Sequence, residues 1–222
     1  MINTLKTVAC CAAFALAGGV AQASAISFSD LSEGVYDSGT SFMTNGATFT
    51  VSASKSGNTK KVGIYNTDTP VGADPDLESP FTDSDGVLDA RPFGLAFVTN
   101  TTNSTPVNDQ AGGSTLVFEF LAPTILTYVD ILDPEEGADV YLNDIYYGTA
   151  TSPGPGLPNG QVNYFDRVSF EENAVYRLTV VLRGSGGVGE IGVAPIPVPA
   201  ALPLLLGGLG LLGVARRRRK TA

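Results

Sequence analysis

Val140-Tyr141-Leu142-Asn143-Asp144-Ile145-Tyr146-Tyr147 sets two short apolar runs on either side of an Asn-Asp link. Asparagine and aspartate tolerate positive φ, so a two-residue link of this kind predicts a tight hairpin between antiparallel strands. Working outward, the two-residue period of half-buried strands recurs at Ala47 to Ser52, Lys61 to Tyr65, Gly94 to Thr99, Thr115 to Phe120, Ile125 to Leu132, Val162 to Phe170, Tyr176 to Arg183 and Val188 to Val193. Gly, Asn, Asp, Ser and Pro separate the runs, and no stretch between Ile26 and Pro195 sustains a helical period over three turns. Thr151 to Gly160, with three prolines and three glycines, reads as an irregular loop, and Thr99 to Gly113 is similarly loose. Nine or ten short strands without helices predict an all-β fold, an antiparallel β-sandwich of jelly-roll kind, because one open sheet could not cover both faces of so much apolar surface.

The two ends of the chain read differently. Met1 to Lys6 is a short polar start, Thr7 to Val20 an apolar run, and Ala23-Ser24-Ala25 a small-residue site, which together predict a signal peptide over residues 1–25, cut by signal peptidase at Ala23 and Ala25. That run is too short to be a spanning anchor. Cys10 and Cys11 both lie within it, so the mature chain is expected to hold no cysteine, hence neither a disulfide nor a thiolate metal site. At the other end, no ionisable side chain occurs from Ile191 to Ala215. A transmembrane helix over residues 200–215 would rise about 24 Å. That is short of the roughly 30 Å hydrocarbon core but workable with flanking prolines and snorkelling arginines. Arg216 to Lys220 form a basic stop that stays cytoplasmic. Physically, this is either an ordinary C-terminal anchor or a sorting tail.

The wording of the tail is more specific. Val198-Pro199-Ala200-Ala201-Leu202-Pro203-Leu204-Leu205-Leu206-Gly207-Gly208-Leu209-Gly210, followed by the arginine run, resembles the VPLPA-CTERM signal, a variant of the PEP-CTERM tails of Gram-negative bacteria. Val198 departs from it, standing where the motif has leucine. The resemblance implies a sorting signal over residues 195–222, with Pro197, Val198, Pro199 and Ala200 as its motif. It also implies processing by an exosortase-type transpeptidase and a final place at the cell surface or outside, after transient anchoring in the inner membrane.

Between the two addresses lies one domain, residues 26–194, large enough for a core of its own. All 22 acidic residues but only seven of the 13 basic ones fall there, so the segment carries a net charge of −15. Such a surface repels nucleic acid and anionic lipid and suits divalent cations, though bulk acidity also serves solubility in salt. The chain has no histidine and no tryptophan. Serine triads, histidine acid–base pairs and histidine-ligated zinc are thereby excluded, leaving carboxylates, lysine and tyrosine for chemistry.

Ile64-Tyr65-Asn66-Thr67-Asp68-Thr69-Pro70-Val71-Gly72-Ala73-Asp74-Pro75-Asp76-Leu77-Glu78 packs four acids and an asparagine just after a predicted strand. Oxygen donors at alternate positions, held by Gly and Pro turns, are what Ca²⁺ requires, since it takes six to eight oxygens. An EF-hand is rejected, because its sixth-position glycine and twelfth-position glutamate do not follow in register. A solvated acidic turn is the plain alternative.

The same stretch is similar to an Ile-Phe-Asp-Thr-Asp-x-Pro-x-Gly-Gly-Asp-x-Asp-Leu signature of extracellular sandwich domains in PEP-CTERM-bearing proteins. Those domains look like jelly-roll carbohydrate-binding modules that hold a structural calcium. Asn66, Asp68, Asp74 and Asp76 are the matching positions, with Asn66 replacing the first aspartate, Ala73 a glycine, and Gly189-Glu190 an acid-amide pair. The resemblance implies a Ca²⁺ site at those four residues, which a sheet joining both ends of the domain would extend to Asp30 and Glu190. Asp130, Asp133, Glu135 and Glu136 are second-tier acids, with Asp133 to Gly137 read as an exposed turn. Tyr146 and Tyr147 are neighbours on a strand, so one faces the core and the other solvent.

The expected protein is a secreted, non-catalytic β-sandwich, calcium-stabilised and associated with extracellular polysaccharide or the cell surface, with a glycan as its ligand. A carboxylate-pair glycosidase or lyase is the rival and needs two acids about 5 to 9.5 Å apart. A matrix or adhesion subunit without a small ligand is the third reading.

Overall fold

The computed structural model describes residues 24–45, 47–68, 77–78, 81–82, 88–89, 93–100, 107–110, 112–134, 136–151 and 163–194, all within the compact unit 22–194. Ala23, Asp74, Asp76, Glu135, the sorting motif Pro197 to Ala200 and the helix expected over residues 200–215 lie outside the described residues. Among the described residues no helix is long and apolar enough to cross a membrane.

The all-β class expected from the sequence is the one adopted. In chain order the strands are β1 (Ser24–Ser27), β2 (Gly34–Tyr36), β3 (Thr40–Thr44), β4 (Ala47–Lys55), β5 (Asn58–Asn66), β6 (Phe81–Thr82), β7 (Leu88–Asp89), β8 (Leu95–Asn100), β9 (Ser114–Leu132), β10 (Ala138–Leu142), β11 (Ile145–Ala150), β12 (Asn163–Leu182) and β13 (Gly187–Ala194). The hairpin that opened the reading forms as expected: Leu142 pairs with Ile145, and the link turns through φ of 49° at Asn143 and 66° at Asp144. Both values are those of the mirror-image turn whose twist suits a two-residue hairpin.

Two expectations are corrected. The runs at Thr115–Phe120 and Ile125–Leu132 are halves of one 19-residue strand, β9. Those at Val162–Phe170 and Tyr176–Arg183 belong to the 20-residue β12. The two long strands pair along their length with two breaks in register, one where Tyr128 and Leu126 of β9 face Ser169 and Asn173 of β12, the other where Glu119 and Thr124 face Arg177 and Val175. Residues 120–123 bulge there, leaving Leu121 82% exposed. Pro123 has no N–H to give a ladder, so the break in the apolar alternation marks a kink, not a strand end.

Pairing runs β1-β13-β8-β5-β4-β9-β12-β10-β11, and a further β13–β9 ladder joins the second strand of this path to the sixth. Strands β4, β5, β8, β13 and β9 therefore form a closed circuit of hydrogen bonds, all antiparallel. Its inner face gives one large apolar cluster with Phe97 at the centre. Phe97 is fully buried and meets Phe28, Phe42 and Phe118 edge to face at centroid distances of 4.7, 5.1 and 5.5 Å, the geometry that ring quadrupoles favour. A second cluster of Tyr65, Phe81, Phe93, Val98, Leu132 and Phe165, among others, covers the other face of β5 and β8. Strand β8 consequently buries Leu95 and Phe97 on one side and Ala96 and Val98 on the other, which explains its unbroken apolar run.

Closure requires β13 to thread between β8 and β9, and its sequence Gly187-Val188-Gly189-Glu190-Ile191-Gly192 supplies the room. A Cβ on Gly187 would meet the Phe97 carbonyl oxygen at 2.8 Å, and one on Gly189 the Phe93 ring at 2.9 Å. The link before β13 is pinned by Asp109, whose carboxylate accepts the Gly186 N–H, and by Asp133, which accepts the Ser185 hydroxyl at 3.1 Å. Asp133 thus braces a strand connection, and Glu136 in the same turn is exposed.

Because the obstacle at Gly187 is backbone that cannot rotate away, Gly187→Ala is expected to cost about 1–3 kcal/mol in chemical denaturation. Phe97→Ala, which empties the ring cluster, is expected to cost about 3–5 kcal/mol.

Candidate functional site

Strand β5 ends at Asn66, opposite Leu95 of β8. The Thr67 N–H and hydroxyl both donate to the Gly94 carbonyl, at 2.8 and 3.0 Å. The chain is thereby fixed as it leaves the sheet. The Asp68 N–H then donates to Asn66 Oδ1 at 3.0 Å, an Asx turn that explains why an asparagine serves here. Pairing of Gly34 with Ile64 in the β2–β5 ladder carries Glu33 to the same place. Together Ser29, Leu31, Glu33, Asn66, Asp68, Gly94 and Leu95 line an open cleft of about 380 Å³.

Glu33 is half-buried. Burial raises its carboxyl above the usual carboxylate range, opposed in part by a backbone hydrogen bond from Asn66. Glu33, Asn66 and Asp68 line the same cleft, and their side-chain acceptors are all oxygen, which suits a hard cation and not a soft one. Among the described residues no three carboxylates converge tightly enough to hold a metal by themselves. Asp30 does not line the cleft: it accepts the Thr44 hydroxyl, which also donates to the Ser27 carbonyl at 2.8 Å, tying β1 to β3.

Glu190 sits elsewhere too. Strands β1 and β13 do pair, with Ser27 opposite Glu190, but the Glu190 side chain accepts the Tyr128 hydroxyl. Glu190 and Asp130 are opposite each other on β13 and β9, and Asp130 is opposite Arg167 on β12. Fully buried Asp130 receives Arg167 Nε and Nη2 at 2.6 Å each, and the guanidinium lies 3.7 Å over the Tyr128 ring. The ring in turn covers Gly192, where a Cβ would fall inside it. Burial, the Glu190 hydrogen bond and the Glu190 charge raise the Tyr128 hydroxyl far above its ordinary range. The Asp130 hydrogen bond keeps Arg167 charged against its own desolvation. Sequence reading named Asp130 and Glu190 but missed Tyr128, Arg167 and Glu33. Only the strand register brings these three to their partners.

A bidentate pair with one fully buried member is costly to break from one side, because a carboxylate then stays behind without its cation. Arg167→Met is expected to lower stability by about 3 kcal/mol. Adding Asp130→Asn should recover a large part of that in a double-mutant cycle read by urea denaturation.

No family model matches the sequence, and no curated protein matches it. Among solved structures, a GH31 α-xylosidase from Xanthomonas citri aligns at 11% identity and a TM-score of 0.21 over 77% of this chain. The chain spans 23% of the length of that enzyme, and an overlap so loose carries no statement about fold or activity.

Proposed function

We propose that this chain is an exported, non-catalytic β-sandwich module, sorted to the cell surface by its C-terminal tail, stabilised by Ca²⁺ and associated with extracellular polysaccharide. The observation that carries the reading is the cleft at the end of β5. There Asn66 and Asp68, two of the residues proposed as ligands, meet a third oxygen donor, Glu33, contributed from far away in sequence. Asp74 and Asp76 follow within a few residues and would complete the donor set. A carboxyl whose ionisation is disfavoured by burial gains most from a cation beside it.

The non-catalytic reading is supported by the one facing carboxylate pair among the described residues that spans adjacent strands, Asp130 and Glu190. Asp130 is fully buried and both its oxygens are engaged by Arg167, so it is not free to exchange a proton with a substrate. Secretion and sorting rest on the end sequences, Ala23 and Ala25 at one end and Pro197 to Ala200 at the other.

Removing calcium tests the core of the proposal. A ligand held only by the native state at a hundred times its dissociation constant adds about 2.7 kcal/mol, which for a domain of this size is a rise in Tm of roughly 5–10 °C. The full-length chain in mild detergent is expected to melt lower in EDTA and to recover with added Ca²⁺. Identical melts would overturn the calcium assignment. Glu33 adds a pH arm. A raised acid pKa means that the folded state holds the proton more tightly than the unfolded one, so ionising Glu33 lowers stability as pH climbs through the unfolded value to the folded one. In EDTA, Glu33→Gln should therefore be the more stable chain above that window and equal to the parent below it, and it should have lost most of the calcium response.

A further inference from the structure

The outer side of the sheet formed by β4, β9, β12, β10 and β11 is a solvent face of small side chains. Ser52 of β4 is opposite Val117 of β9, Val117 opposite Thr179 of β12, Thr179 opposite Tyr141 of β10, and Tyr141 opposite Tyr146 of β11. All lie on the side away from the core, since their neighbours Val51, Phe118, Val180 and Val140 are buried in the first cluster. Four strand spacings of about 4.8 Å make this row roughly 19 Å long. A parallel row of Ser54, Thr115, Val181, Asp139 and Thr149 runs beside it.

The tyrosine end of the row is built rather than incidental. Tyr146 is 55% exposed, yet its hydroxyl is 2.8 Å from Thr149 Oγ1. Thr149 donates to Asp139 at 2.8 Å, and Asp139 accepts Arg183 Nη2 at 2.6 Å. On its other side the ring meets Tyr141 edge to face at 5.6 Å. A surface tyrosine held at both ends offers a rigid flat face at little entropic cost on binding.

We infer that this row is a docking surface for a neutral polysaccharide chain laid across the strands, with a sugar ring against the exposed Tyr146 beside Tyr141 and further sugar units over Ser52. Charge argues for a neutral ligand. Arg183 is paired with Asp139 and Arg177 with Asp144 and Glu119, so the charges flanking the row are matched. The domain as a whole carries −15 and would repel an anionic polymer. An apolar partner would cover the serine and threonine hydroxyls without satisfying them. The inference rests on the polysaccharide association proposed above and names the face that makes it.

The test is native affinity electrophoresis of the full-length chain in gels containing hydroxyethylcellulose, xylan or, as the anionic control, alginate. Retardation by a neutral polymer and not by alginate is expected. Tyr141→Ala combined with Tyr146→Ala should weaken it at least tenfold, and Tyr146→Phe should hold within about threefold. Should the double variant lose its native melt, Val117→Lys, which places a bulky charge in the middle of the row and outside the core, is the substitute and should show the same loss. Retardation by a neutral polymer that neither the tyrosine pair nor Val117→Lys alters would refute this face while leaving polysaccharide association standing. No retardation in either neutral polymer would remove the association itself. Binding confined to alginate would refute the neutral ligand.

Discussion

The fold depends on β13 having almost no side chains where it passes between β8 and β9. A strand flanked by ladders on both edges and by packed rings on both faces has no space for a Cβ at Gly187 or Gly189, so the backbone itself fills the gap. That one constraint turns an open antiparallel sheet into a closed circuit, and a closed circuit has no free edge along its length. The two apolar clusters follow from it. With β8 held inside the circuit, its alternate side chains are buried on opposite faces, and the chain between β5 and β9 covers the outer one.

Closure also divides the polar residues by place. On the outside of β9, β12 and β13, Tyr128, Asp130, Arg167 and Glu190 interlock into a bracket across three strands. It is tightly satisfied and correspondingly inert. The cleft at the end of β5 is the opposite case, with a carboxyl whose ionisation is disfavoured and oxygens left open to solvent. On the far side of the sheet, where β10 and β11 extend beyond the circuit, the small hydroxyl side chains and the tethered tyrosines form a third, flat surface. Each surface has its own physical character, and each derives from where the chain sits relative to the ring.

What could be read from sequence was what is local. Alternation located the main strands, and the Asn143-Asp144 link told its own turn because positive φ is a property of those two residues. The proximity of Asn66 and Asp68 was legible for the same reason. Glu33 was not, since only the β2–β5 register brings residue 33 beside residue 66. The lengths of β9 and β12 were hidden because β9 kinked at Pro123, and β12 shifted in register between Ser169 and Asn173, each show the same broken pattern as two strands. The short β1, β2, β3, β6 and β7 went unnoticed, their runs too brief to show a period. The joining of β1 to β13 does bring the two ends of the domain together, with Ser27 opposite Glu190. The side chains of Asp30 and Glu190 are nevertheless taken up by Thr44 and Tyr128, a choice of partner that strand pairing alone does not reveal.

The strand that completes the circuit is also the last of the described domain to leave the ribosome. Strands β8 and β9 cannot find their shared neighbour until residue 194 has been made, and the first strand waits for the same partner. Contacts so distant along the chain form slowly. Until then β1 and the edges of β8 and β9 that face β13 stay unpaired, although the ladders among β3, β4, β5, β8, β9, β10, β11 and β12 need nothing from β13. The ring therefore closes last, and two strand edges stay open to unwanted pairing until the end of the domain arrives.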